Sequence, residues 1–224
     1  MLDVRPCNHA RGHSGRGRFA EHHGGLRFVL VCDECGAERR EVVAIPYKLK
    51  AKPFANSLAE LTAKELGLAP ELVDRVRLAA MLCDVATAQI PSAILQKDGA
   101  LTDDEWNEVH RHPEMGAAML TGGTFDDVRA WILTHHERPD GTGYPRGLRG
   151  EQIPLVARII AVVDAYEAMT SERPYRAAMS HEEACAELGR HSGTQFDPLV
   201  VTAFLGAVGL YRRRHSPTPV ARAA

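Results

Sequence analysis

The stretch "LTHHERPDGTGYPRG", residues 133–147, sets two imidazoles side by side, an acid directly after them, and a glycine-rich turn carrying one tyrosine. Metal chemistry is one use for such a pair, and the other ligands would have to come from elsewhere in the chain. Asp84 closes the apolar run "LAAMLCD", where a carboxylate beside a packed face needs a partner. It either caps the turn that follows or binds an ion. His112, in "RHPEMGAAML", is either a surface histidine on a helix or a ligand. His135 and His136 point about 100° apart on a regular helix. Both reach one ion only where the helix frays into the glycine-rich turn; otherwise one is buried and one solvated. Asp164 lies in "RIIAVVDAYEAM", where nearly every neighbour is apolar. A buried carboxylate without compensation is costly, and Arg158 is poorly phased to neutralise it. An ion pair with another helix or a bound cation would supply the missing charge. Three imidazoles and two carboxylates suit Fe, Mn or Zn. Such ions turn water into hydroxide near neutral pH and stabilise charge on a phosphoryl oxygen.

The elements that would position these groups are mostly helical. Leu58, Leu61 and Leu66 mark a first helix, closed by Gly67, and Leu72 to Leu82 a second, opened near Pro70. Thr102 with Glu105 makes a capping box for a third, and a fourth runs from about Asp126 to His135. Pro154 opens the apolar helix "LVARIIAVVDAYEAMT". Ser180 and Glu183 cap "HEEACAELGRH", and Asp197 with Pro198 starts the last helix. Polar sites of helical domains are built from facing helices, so ligands distant in sequence are expected.

The first 48 residues differ. They are rich in Arg, Gly and His, and the apolar run "LRFVLV" leads into "CDECG" and "AERREVV", which reads as two short strands around a tight turn. Cys7, His9, Cys32 and Cys35 form a candidate structural zinc set, with His13, His22 or His23 as replacements for His9. A segment with so little core needs such a staple; a reduced hairpin packed on the helical part is the alternative. The expected division is a zinc-ribbon-like knuckle over 1–48, a helical domain over 49–211 and a disordered basic tail over 212–224.

The chain has 224 residues, 45% hydrophobic and 25% charged, with a formal net charge of −2, which is globular composition without a global attraction to nucleic acid or an anionic membrane. No apolar run approaches a membrane span and the N-terminus lacks a secretory core, so a cytoplasmic protein with reduced cysteines is expected.

Residues 57 to 206 resemble the HD-GYP family, helical HD-fold phosphodiesterases acting on cyclic di-GMP. "HHERPDGTGYP" matches the family pattern HHExxxGxGYP, and "IPSAILQKDGALTDDEW", "HRHPEMGAAML", "PRGLRGEQIPLVARIIAVVDAYEAMTSERPYR" and "SGTQFDP" agree in order and spacing. The resemblance implies an HD-type helical bundle holding two metals. One set would be Asp84, His112, His135 and His136, and it is intact. The other would include Asp164, Asp84, the histidine of the HD pair and an upstream histidine. Where the family reads LLHDIGKIGIP, this chain reads "MLCDVATAQIP". Cys83 stands for the HD histidine, Ala86-Thr87 for a Gly-Lys pair, and "KAKPFANSLAE" has no histidine. Cys83 is either a substitute ligand or a small buried hydrophobe.

By the same resemblance, Asp84 and Glu137 are the acids expected in catalysis. Gly141, Gly143 and Tyr144 would shape the substrate cleft, and Arg173, Tyr175 and Arg176 would contact phosphate or base. Two functions follow: a weakened metal-dependent phosphodiesterase for cyclic di-GMP or a related cyclic dinucleotide, or an inactive module that binds a nucleotide or a protein partner. One transition ion in the helical domain and one zinc in the knuckle are expected. The knuckle is a candidate docking point for a protein. No basic stripe favours nucleic acid.

Overall fold

The computed structural model describes backbone for residues 15–22, 25–32, 38–46, 53–120, 123–172 and 177–215, and side chains from Ser57 onward, except 121–122, 124, 173–176 and those after 212. Strands β1 (Gly15–His22), β2 (Gly25–Cys32) and β3 (Glu38–Pro46) pair in order as an antiparallel sheet, with a register irregularity between Leu26 and Phe28. The sequence suggests only the second and third of these. Cys7, His9 and Cys35 lie outside the described residues, and only the backbone of Cys32 is described, so the zinc expectation there rests on sequence.

From Pro53 onward the described elements are helical: α1 (Pro53–Glu65), α2 (Pro70–Leu82), α3 (Ser92–Leu95), α4 (Asp103–His110), α5 (His112–Met119), α6 (Asp126–Leu133), α7 (Leu155–Thr170), α8 (His181–Arg190) and α9 (Pro198–His215). Both expected capping boxes form: Thr102 Oγ1 accepts from the Glu105 amide and Ser180 Oγ from the Glu183 amide, each with the reciprocal carboxylate bond. Helix α9 runs through Arg212 to His215, so the segment expected to start an unstructured tail is helical at first.

Helix α7 organises the core. It buries Val156, Ala157, Ile159, Ile160, Val162, Val163 and Tyr166, which is too wide a set for a single amphipathic stripe and marks a central helix. Helices α1, α2, α8 and α9 pack on it, and Tyr166 meets Phe204 of α9 at 5.0 Å between ring centroids. Arg158 does not serve Asp164. Its guanidinium donates to Asp197 at 2.5 Å, and Asp197 also accepts from the amides of Leu199 (2.8 Å) and Val200 (3.1 Å) at the start of α9. One carboxylate therefore caps a helix and neutralises a largely buried cation.

Asp197→Ala should lose about 3–5 kcal/mol of stability, because it strands the Arg158 charge as well as removing the cap. Asp197→Asn keeps an acceptor for the cap and should fall between the two. Urea unfolding at neutral pH reads both; an Asn variant as stable as the wild-type chain would deny the ion pair its share.

Candidate metal centre

Helix α2 ends at Leu82, and Asp84 turns the chain (φ −99°, ψ 13°) into a short 3-10 turn, Val85–Gln89. The Asp84 carbonyl holds that turn, accepting from the Thr87 amide (3.0 Å) and hydroxyl (2.7 Å). Its carboxylate makes no cap. Instead Oδ1 lies 3.5 Å from Nε2 of His112. The capping alternative left open by the sequence is thereby excluded.

His112 opens α5 and is 3% exposed. Its Nδ1 donates to the Val109 carbonyl at 2.8 Å, across the kink that separates α4 from α5. Helix α6 stops at Leu133, sooner than apolar periodicity suggests. Thr134 leaves helical geometry (φ −114°, ψ 13°) while its hydroxyl donates to the Ala130 carbonyl at 2.8 Å. His135 and His136 thus stand in a turn, where adjacent imidazoles can converge. His135 is fully buried and its Nδ1 donates to the Ile132 carbonyl at 2.6 Å. The Nε2 atoms of His135 and His136 approach Nε2 of His112 to 3.4 Å and 3.2 Å.

Protonation follows from these partners. A carbonyl oxygen only accepts, so the protons of His112 and His135 sit on Nδ1 and, in the neutral rings, Nε2 carries a bare lone pair. Burial, then the neighbouring imidazoles of His135 and His112, hold the His136 pKa well below the usual histidine value. Burial also lowers His135, against the pull of Asp84 and Asp164. Two nitrogens each about 2.1 Å from one divalent ion are separated by about 3.0 Å at a right angle and about 3.4 Å at the tetrahedral angle. The spacings from His112 to its two partners fall in that window. The donor set therefore fits an ion held by His112, His135 and His136, with the Asp84 carboxylate alongside.

The other expected ligands are less closely gathered. Cys83 Sγ lies within 4.8 Å of ligand atoms of Asp84 and His135, but its thiol is buried and donates to the Ala80 carbonyl at 3.3 Å. Asp164, on α7, lines the same cleft as His135 and His136 without joining a cluster of three ligand atoms within 4.8 Å among the described residues. The cleft has a volume of 580 Å³ and is bounded further by Arg138, Thr142, Gly143, Tyr144 and His191, a size ordinary for a small-molecule site.

The glycine-rich turn folds back on the histidines. The Tyr144 amide donates to the His136 carbonyl at 3.2 Å, and the Tyr144 ring stacks on the His136 ring at 4.9 Å and 22°. A Cβ at Gly143 would lie 2.4–2.6 Å from backbone atoms of His136, Glu137 and Arg138; at Gly141 (φ +79°) it would meet the Arg149 side chain at 2.6–2.7 Å. Only glycine permits this fold-back at 143. For Glu137, expected to act in catalysis, the structure gives a different role. It is 2% exposed, and its two carboxylate oxygens accept from the amides of Arg146 (2.6 Å) and Leu148 (2.9 Å). The side chain clamps the far end of the loop. Burial first, and then the charges of Asp164 and Asp84, raise the Tyr144 pKa, so its hydroxyl stays protonated. Arg173, Tyr175 and Arg176 lie outside the described residues. The sequence reading missed His110, Glu187, His191 and Gln195, which also line the cleft; for His110 the available signal was its place two residues before His112.

Residues 36–200 match the family profile of the HD domain. Over 151 residues the chain is 47% identical to the cyclic di-GMP phosphodiesterase response regulator RpfG of Xanthomonas campestris, covering 66% of this chain and 40% of that one. It is 36% identical over 163 residues to the 3'3'-cGAMP-specific phosphodiesterase 3 of Vibrio cholerae, covering 71% and 35%. The chain thus spans about two-fifths or less of these relatives. Among solved structures it resembles a HDG"Y"P protein from Bdellovibrio bacteriovorus, with a TM-score of 0.55 at 20% identity over 69% of this chain and 50% of that one. That likeness establishes a mostly helical HD-domain fold. Among the described residues no helix is long and apolar enough to cross a membrane.

The lowered pKa values of His135 and His136 mean that the unfolded chain takes up protons the folded chain refuses. Stability of the metal-free protein is then complete above the ordinary histidine value and is lost as pH falls through about 6.5. Thermal melts in chelator from about pH 8 to pH 5 should show this loss, and His136→Gln should flatten it. Gly143→Ala should cost about 2 kcal/mol or more, since the overlap is with backbone; an unchanged melting temperature would contradict the close approach.

Proposed function

The chain belongs to the HD-domain family, and we propose that it is a metal-dependent phosphodiesterase of cyclic di-GMP or a related cyclic dinucleotide. One observation carries the reading: the Nε2 atoms of His135 and His136 lie 3.4 Å and 3.2 Å from that of His112, with a carboxylate oxygen 3.5 Å away. His112, His135, His136 and Asp84 would hold the ion, which is Fe, Mn or Zn by ligand type. Lewis-acid polarisation of a phosphoryl oxygen and acidification of water are the chemistry such an ion supplies when bound. The chain's own residues supply the rest. The carbonyls of Val109 and Ile132 orient two of the rings. Tyr144 covers His136 and keeps its hydroxyl proton, and Asp164 adds negative charge to the cleft that favours a cation. Arg173, Tyr175 and Arg176 remain the proposed phosphate and base contacts.

Activity would be weak. The thiol of Cys83 stands where the family has a histidine, and Thr87, whose hydroxyl is engaged by the Asp84 carbonyl, stands where the family has a phosphate-neutralising lysine. The same two positions favour a second reading, a module that retains nucleotide or partner binding without turnover. For the N-terminal segment we propose a zinc held by Cys7, His9, Cys32 and Cys35, and a role in docking a protein.

Incubation of the chain with cyclic di-GMP and Mn(II) should yield linear product, and His135→Ala or His136→Ala should lower the rate by more than about 100-fold, beyond what an outer-shell change costs. Cys83→His should raise it. Binding by calorimetry with no product under Mn, Fe or Zn would select the second reading.

A further inference from the structure

A row of aromatic rings leads from the surface to the three-histidine cluster. Trp106 and His110, one turn apart on α4, lie 5.3 Å between centroids; His110 lies 4.2 Å from Tyr144 at 31°, and Tyr144 stacks on His136 at 4.9 Å. Spacings of this kind are those of interacting aromatic pairs. The outer end of the row is open. Trp106 is 47% exposed, on a helix that buries no residue of its own. His110 lines the cleft, and its described contacts are ring contacts with Trp106 and Tyr144 rather than hydrogen bonds. Neither side chain belongs to the buried core, and the His110 nitrogens make no hydrogen bond among the described contacts.

We infer that the open ring of Trp106, backed by His110 and Tyr144, forms a purine-stacking subsite at the mouth of the cleft. The inference rests on the proposed cyclic-dinucleotide reading for its substrate class and adds where a base would lie. Every purine offers a flat π face, and aromatic side chains bind such faces with little demand on hydrogen-bond pattern. The cation-binding end of the cleft suits phosphate. His110 stands two ring spacings from His136, so a sugar bridges the interval between a phosphate at the cluster and a base on the row. A tryptophan at the outer end extends the platform to fused-ring width.

The test uses the full chain carrying Trp131→Phe, so that Trp106 is the sole tryptophan. Cyclic di-GMP, 5'-GMP and inorganic phosphate are titrated in turn with Mn(II) present. Both nucleotides should quench the emission and phosphate should not. In the otherwise native chain, followed by calorimetry, Trp106→Ala should weaken cyclic di-GMP binding about tenfold or more, Trp106→Phe should retain most of the affinity, and phosphate binding should not change in either variant. Unchanged cyclic di-GMP affinity in Trp106→Ala, or no quenching by either nucleotide, overturns the subsite. Quenching by 5'-GMP in a chain that does not bind cyclic di-GMP keeps the stacking subsite and rejects the proposed substrate.

Discussion

Three imidazoles whose lone pairs face one point repel each other unless a cation lies among them. His112 and His135 each commit the Nδ1–H to a hydrogen bond with a backbone carbonyl, and burial disfavours a second proton on His135 and His136. In their neutral state His112 and His135 direct bare Nε2 lone pairs at each other, 3.4 Å apart, and the convergence makes physical sense as a ligand set. The rest of the site follows from this constraint. The carbonyls that fix the rings belong to the last turns of α4 and α6, so the helix ends themselves set the direction of the donors. A cation there would also offset the negative charge of Asp84 and Asp164 next to apolar helices.

The fold meets the constraint by ending helices early. Had α6 continued through His136, the paired rings would diverge by about 100°. It ends at Leu133 instead, and the glycine-rich turn then brings Tyr144 back over His136. Glu137 completes this arrangement from below, using both oxygens on loop amides. A buried carboxylate that accepts backbone hydrogen bonds costs far less than an unpaired one. The loop is thus held at both ends, by Glu137 at Arg146 and Leu148 and by the close backbone approach at Gly143. Rigid support of this kind is what a site needs if its ligands are to be in position before substrate arrives.

Much of this was legible in the sequence, and the exceptions have physical causes. The helices and their capping boxes were readable because periodicity and caps are local. The cluster of Asp84, His112, His135 and His136 was readable through the family resemblance, since each residue alone also admits a structural role. The end of α6 was not, since no proline or glycine marks it and the chain simply leaves helical geometry at Thr134. Glu137 is expected among the catalytic acids only through the family resemblance; its carboxylate meets amides nine and eleven residues on. Trp106 and His110 were overlooked because α4 is otherwise polar and reads as a solvated face. Their relation to Tyr144 exists only in three dimensions.

The most direct measurement is X-ray absorption at the Mn edge on the chain loaded with one equivalent of Mn(II), an ion that disfavours the thiolates of the N-terminal segment. The spectrum should contain the outer-shell scattering of three imidazoles, and His112→Ala should reduce that number to two. A coordination shell of oxygen atoms without imidazole scattering would mean that the three rings do not share an ion.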